Sequence, residues 1–161
     1  ETFLESLQDN KTIHTLDLSH NNMTTQHVAK LLEGFGNHPN LTVLSLYYNA
    51  IDSSGGEVLG NWLKANSVLR VLNLRNNNLG DEGVKPIAQA LSVNSSLEKL
   101  DLSRNNIKED GLIVLLDSLM ENKGLKTFII ERKIDKSRIS EQVAPRLYEL
   151  KHKRPSLEIC Y

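Results

Sequence analysis

Leu69-Arg-Val-Leu72-Asn-Leu74-Arg-Asn-Asn77 is the stretch that decides the fold. Leu72 and Leu74 alternate with polar residues, as in a short strand with one face inward. An asparagine closes the stretch, and a further apolar residue, Leu79, follows it. The same arrangement recurs in Ile13-His-Thr-Leu16-Asp-Leu18-Ser-His-Asn21, Leu41-Thr-Val-Leu44-Ser-Leu46-Tyr-Tyr-Asn49, Leu97-Glu-Lys-Leu100-Asp-Leu102-Ser-Arg-Asn105 and Leu125-Lys-Thr-Phe128-Ile-Ile130-Glu-Arg-Lys133. The first anchors stand at positions 13, 41, 69, 97 and 125, so the spacing is identical from each repeat to the next. One position breaks the pattern, Lys133 in place of the asparagine. Internal self-similarity at a fixed period signals a stacked-repeat architecture.

The parts of each repeat can be read mechanically. Asn21, Asn49, Asn77 and Asn105 are placed to bond backbone groups at the turn leaving the strand, and stacked copies predict a ladder. Beyond it, apolar pairs one helical turn apart mark one stripe of a helix: Leu31 and Phe35, Leu59 and Leu63, Ile87 and Leu91, Leu115 and Leu119, Val143 and Leu147. The residue after the first of each pair (Leu32, Gly60, Ala88, Leu116, Ala144) is expected at a close strand–helix contact. Asp81-Glu82 and Glu109-Asp110 fall in first turns, where acids favour the helix dipole, and Ser53 or Ser54 is the expected cap of the second helix. Pro86 is expected early enough in its helix to be tolerated. Asn66, Asn94 and Asn122, with His38 as the exception, are expected to end helices in the left-handed conformation.

This pattern closely resembles the leucine-rich repeat family, in particular the 28-residue ribonuclease-inhibitor-like class that includes the repeats of NOD-like receptors and the Ran GTPase-activating protein. The resemblance spans practically all of the chain. It implies an α/β solenoid, a curved horseshoe with a parallel sheet on the concave face and helices on the convex face. One domain over residues 1–161 is expected. Residues 1–12 read as the end of a preceding repeat, with Asn10 at its exit position, so the chain is expected to begin inside a repeat. Leu157-Glu-Ile159-Cys160-Tyr161 reads as a terminal strand, although the common period counted from Leu125 would start it at position 153. The fifth repeat is then the irregular one, with a longer helix from about Lys136 to Lys151, and it reads as a cap of the stack or as a degenerate internal repeat of a longer array.

Composition narrows the function classes. The chain has 161 residues, 39% hydrophobic and 24% charged, with a net charge of −1. That is ordinary for a folded chain, and it gives no electrostatic reason to seek nucleic acid or an anionic membrane. No apolar run approaches the roughly 20 residues that span a bilayer. A single cysteine, Cys160, excludes an internal disulfide framework and a Cys-based zinc site. A cytoplasmic location is the expectation. The charge is lopsided: residues 121–161 hold ten Lys/Arg against six Asp/Glu, and residues 1–120 nine against fourteen. Lys151-His152-Lys153-Arg154 is read as a solvated helix end whose cations favour the dipole, with contact to an acidic partner or phosphate as the alternative.

No phosphate-cradling glycine motif occurs, and no cofactor is expected. His14, Asp17 and His20 look like a metal constellation, but alternation sends His14 and Asp17 to opposite sides of the strand. Asp17 and Asp101 hold equivalent places in distant repeats, too far apart for paired carboxylate chemistry. The glycosylation sequons at Asn22, Asn40 and Asn94 are read as incidental in an asparagine-rich chain.

Helices pack roughly 8–10 Å apart and strands roughly 4.8 Å apart, so stacking must curve, with the sheet on the inside. Strand residues outside the core then form an open surface: Thr15, Asp17, Ser19; Val43, Ser45, Tyr47; Val71, Asn73, Arg75; Lys99, Asp101, Ser103; Thr127, Ile129, Glu131. Just beyond the strands come His20, Tyr48, Asn76, Arg104 and Arg132. Tyr and Arg are the residue types enriched in binding hot spots, and Tyr47, Tyr48 and Arg75 fall on adjacent positions. The candidate partner-binding set is therefore Tyr47, Tyr48, Arg75, Asn73, Asp17, Asp101 and Arg104, with no catalytic or metal-binding residue. The expected function is a non-catalytic module binding a protein on its concave face, monomeric or a segment of a longer chain, such as a receptor or scaffold. The resemblance also implies an alternative, a GTPase-activating protein like the Ran regulator. That family's essential arginine lies in a loop with no match here, since Arg75 and Arg104 follow strands, and the family's acidic tail is replaced by a basic end.

Overall fold

The computed structural model describes residues 10–36, 38–130 and 140–160. Among these residues six short strands alternate with five helices: β1 (Thr15–Asp17), α1 (Thr25–Phe35), β2 (Val43–Ser45), α2 (Ser53–Ala65), β3 (Val71–Asn73), α3 (Gly80–Leu91), β4 (Lys99–Asp101), α4 (Glu109–Glu121), β5 (Thr127–Ile129), α5 (Val143–Lys153) and β6 (Glu158–Cys160). The strands form one parallel sheet in sequence order. Leu16, Leu44, Leu72, Leu100 and Phe128 pair in register across it. This is the expected solenoid. No described helix is long and apolar enough to cross a membrane.

The core lies between sheet and helices, and the anchors fill it. Leu44, Leu46, Ile51, Leu72, Leu74, Leu79, Leu100 and Leu102 are fully buried, and every residue of the helical stripe is buried as well. Burying each such side chain contributes roughly 1.5–3 kcal/mol. At the β1 edge, where the described sheet ends, Ile13, Leu18 and Met23 are half-buried.

The predicted asparagine ladder is present and has defined rungs. The Asn77 side-chain amide donates to the carbonyls of Leu46 (3.0 Å) and Leu74 (2.9 Å), while its oxygen accepts from the Ile51 N–H (3.1 Å). Asn49 makes the same bonds to Leu18, Leu46 and Met23, and Asn105 to Leu74, Leu102 and Leu79. The Leu46 and Leu74 carbonyls thus each accept two ladder amides, which link three successive repeats. Asn21, on the edge repeat, is exposed and donates to Ser19 within its own turn. Lys133 lies outside the described residues.

A second ladder runs along the helix exits. Asn94 donates to Leu63 and Asn66 carbonyls, and Asn122 to those of Leu91 and Asn94. Their oxygens cap the turn into the next strand, at Leu97 and Leu125. This corrects the expected left-handed exits: Asn66 and Asn122 are extended, with φ of −88° and −65°. Burial of Asn94 in this ladder also removes it as a glycosylation acceptor. His38 takes the first rung, its Nε2 lying 2.6 Å from the Asn10 carbonyl. Arg154 takes the last, donating to Leu119, the carbonyl a further asparagine would have reached, and to Leu125. Arg154 is therefore half-buried structure rather than part of a solvated basic end, while Lys153 pairs with Glu121 at 2.8 Å.

Other expectations are corrected by packing. The second helix is capped by Asp52, which accepts from the Ser54 N–H at 3.0 Å, and Ser53 and Ser54 lie inside the helix. Gly60 faces a neighbouring helix, not a strand: a methyl group there would sit 2.6 Å from the Pro86 carbonyl oxygen, and one at Gly56 only 1.8 Å from that of Gly83. Ala144 is exposed. Because α3 starts at Gly80, Pro86 falls in its interior and leaves the Glu82 carbonyl without its usual donor. Helix α5 has 11 residues and is no longer than the others, with Lys136 outside the described residues. Strand β6 pairs Phe128 with Ile159, so Ile159 rather than Leu157 continues the anchor register.

Replacing Asn77 by Ala removes the partners of three backbone groups around a buried side chain, and stranded groups of this kind cost about 1–3 kcal/mol each. Urea unfolding should show a loss of roughly 3 kcal/mol or more for Asn77→Ala, against about 0.5 kcal/mol or less for the exposed Asn21→Ala. Equal losses at the two positions would refute the ladder's role.

Candidate functional site

The concave surface is an ordered grid because the strands pair without slippage. One column reads Thr15, Val43, Val71, Lys99, Thr127 and Glu158, and the next Asp17, Ser45, Asn73, Asp101, Ile129 and Cys160. Glu131 and Arg132 lie outside the described residues. Ser103 is placed on this face by alternation, yet it is 1% exposed and offers no surface.

Three of the candidate residues have a local task. Asp17, Asn73 and Asp101 each accept, through a side-chain oxygen, the backbone N–H two residues on: Ser19 (2.9 Å), Arg75 (3.0 Å) and Ser103 (2.9 Å). These bonds turn the chain out of each strand. The Ser19 hydroxyl also donates to Asp17 and lies 2.8 Å from that of Ser45. The Ser19 hydroxyl, then its N–H, holds the Asp17 carboxyl below the usual carboxylate range.

The next residue out adopts the left-handed conformation in four successive repeats: His20 (φ 60°), Tyr48 (53°), Asn76 (56°) and Arg104 (55°). Its N–H continues the strand ladder, with His20 donating to Tyr47, Tyr48 to Arg75 and Asn76 to Ser103. Left-handed backbone suits asparagine and strains a bulky aromatic. Tyr48 is held there nonetheless, with its side chain 49% exposed.

These constraints bring three rings together. His20 stacks on Tyr48, with centroids 4.5 Å apart and planes 24° from parallel, and meets the Tyr47 ring edge-on at 4.8 Å. Tyr47 and Tyr48 are edge-to-face at 6.0 Å. The Arg75 guanidinium carbon lies over the Tyr47 ring, 5.9 Å from its centroid, within cation–π range. The structure therefore joins Tyr47, Tyr48 and Arg75 into one patch and adds His20, a surface residue outside the candidate set. The signal for His20 was its place one repeat before Tyr48 in the same column. Asp101 and Arg104 lie on the fourth repeat, apart from the rings. Asp17 and Asp101 stand three strands apart, roughly 14 Å, as expected of unpaired carboxylates.

The patch has rings, a guanidinium and a carboxylate, groups that hold a ligand by stacking and charge. Among the described residues no group of three or more His, Cys, Asp or Glu side chains is arranged to hold a metal ion. His14 is exposed and bonds the Thr12 carbonyl instead. A shallow cavity of 380 Å³ opens at the far end, between Met120, Asn122, Lys153 and Arg154. Of its basic groups, Lys153 is paired with Glu121 and Arg154 bonds the Leu119 and Leu125 carbonyls.

Comparison with known proteins agrees with this architecture. A family model described as "Leucine Rich repeat" matches residues 9–26, 37–60, 65–88 and 93–116. No curated protein matches the chain. Among solved structures, leiomodin-1 actin-binding site 2 superposes with a TM-score of 0.77 at 19% identity, covering 94% of this chain and 89% of that one. The tropomodulin C-terminal domain of Caenorhabditis elegans superposes at 0.71 with 18% identity, covering 96% of each. At such identities the likeness is one of fold.

The Asp17 carboxyl should titrate below an unstructured aspartate in a carbon-detected NMR pH series, and Ser19→Ala should move it back up. A depressed folded value means that this group stabilises the fold above the unfolded carboxylate range. The contribution is lost as pH falls through the lower folded value. An unchanged titration in Ser19→Ala would remove the assigned cause.

Proposed function

Because the chain belongs to the leucine-rich repeat family, we propose that it is a non-catalytic protein-interaction module that holds a protein partner against its concave face. The observation that carries this reading is the patch of His20, Tyr47, Tyr48 and Arg75, side chains rich in contact area presented on a rigid sheet. Buried aromatic and arginine anchors supply most of the energy in protein interfaces. Asn73, Asp17, Asp101 and Arg104 complete the surface as its polar surround. The 28-residue period supports the ribonuclease-inhibitor-like class within the family. In this reading residues 1–161 form a single domain, monomeric or a segment of a longer cytoplasmic protein, with no nucleic acid or membrane as ligand.

The concave patch is tested by substitution on the surface alone. Tyr47→Ala combined with Arg75→Glu touches no core anchor, so the thermal unfolding profile is expected to stay close to that of the parent. Leu74→Asp, which buries an unpaired carboxylate, is expected to unfold the chain, at a cost of several kcal/mol or more. In affinity capture followed by mass spectrometry, a protein retained by the parent chain should be lost by the Tyr47/Arg75 variant. Actin, the ligand in the name of the leiomodin-1 domain, is the first purified protein to offer. Equal retention by both forms would move the site off the concave face.

A further inference from the structure

We propose that the β1–β2 end of the concave face, formed by Asp17, His20, Tyr47 and Tyr48, is a receptor for an arginine side chain carried by the partner. This rests on the concave-face reading above and adds the chemistry of what docks there.

Charge supplies the first argument. The concave residues of β1, β2 and their exits are Thr15, Asp17, Ser19, His20, Val43, Ser45, Tyr47 and Tyr48, which include one carboxylate and no Lys or Arg. Asp17 is exposed and lies near enough to His20 for the two to interact electrostatically. A single anion beside aromatic faces is complementary to a cation, whose attraction to ring and carboxylate adds. An acidic partner group would meet repulsion from Asp17 at this end.

Shape selects arginine over lysine. A guanidinium is planar, stacks on rings and bonds a carboxylate through two parallel N–H groups, which a compact ammonium cannot do. The chain contains its own instance of the fit, since Arg75 already covers Tyr47 from the β3 side. The exposed ring is then Tyr48, backed by His20.

Backbone strain is the third argument. Asparagine is suited to the left-handed position, as at Asn76, yet beyond β2 a tyrosine occupies it, half exposed. Strained residues of this kind cluster at ligand sites. A tyrosine here gives up stability and gains an exposed ring.

The test uses blocked tripeptides as probes, Ac-Gly-Arg-Gly-NH₂ and the same peptide with citrulline, which keeps the shape and loses the charge. Aromatic and carboxyl NMR shifts are followed during titration of the purified chain. The arginine probe should perturb Tyr48, His20 and Asp17 together. Binding should fall about tenfold with citrulline or with Asp17→Asn, and be lost with Tyr48→Asn. Tyr48→Asn should unfold at the same temperature as the parent or higher, so its loss of binding cannot be ascribed to misfolding. Equal binding of the two probes, or shifts centred elsewhere, would overturn the proposal. Loss of the partner protein in the Tyr47/Arg75 variant without any response to the arginine probe would leave the concave reading standing and remove this one. A response at Tyr48 together with partner capture indifferent to Tyr47 and Arg75 would overturn the concave reading and, with it, the assignment of the bound arginine to the partner.

Discussion

A chain that leaves a parallel strand and turns toward a helix carries buried carbonyls that neither element can satisfy. Here those carbonyls belong to Leu46 and Leu74, and the asparagine amides supply the missing donors. Each amide reaches its own repeat and the preceding one, so local hydrogen bonding and the stacking of repeats are the same interaction. Buried groups left without partners cost about 1–3 kcal/mol each, so the ladder outweighs any single leucine. The exit ladder of Asn66, Asn94 and Asn122 repeats the arrangement on the helical side, with His38 and Arg154 serving where asparagine is missing.

The functional surface is a by-product of that arrangement. The turn made by the ladder fixes the residue before each asparagine in a left-handed backbone, whatever its side chain. Two such positions happen to carry His20 and Tyr48, and strand pairing one repeat apart brings them into a stack. The same register sets Arg75 beside Tyr47. Nothing in the core depends on the identity of these four side chains. The fold and the patch therefore answer to separate parts of the repeat, anchors for one and outward positions for the other, as is usual for sites grafted on a common scaffold.

How far the sequence could be read follows from this division. Periodic anchors are legible because burial repeats them: the five central anchors, the helical stripe and Asn49, Asn77 and Asn105 all occupy their expected places. Features that depend on one helix meeting another were not legible. Gly60 looked like a strand contact because its partner, Pro86, lies in the next repeat and carries no periodic mark. Arg154 looked like a solvated cation because replacing an asparagine by a longer donor leaves no pattern to recognise. The asparagines of the helix exits do not take the left-handed conformation expected of them; positive φ falls on the strand-exit residues and, at a helix end, on Gly36. In the site, Tyr47, Tyr48 and Arg75 stood out by residue type, whereas His20 required the stacking geometry.

The glycines between α2 and α3 have a consequence for shape. Each repeat is a wedge, thick at its helix and thin at its strand, and the angle between successive wedges grows with the difference. With Gly56 facing the Gly83 carbonyl and Gly60 facing Pro86, the backbones of these two helices approach closely at both glycines. Their wedge is thinner at the back, so the angle between the second and third repeats is smaller than side-chain-spaced helices would impose.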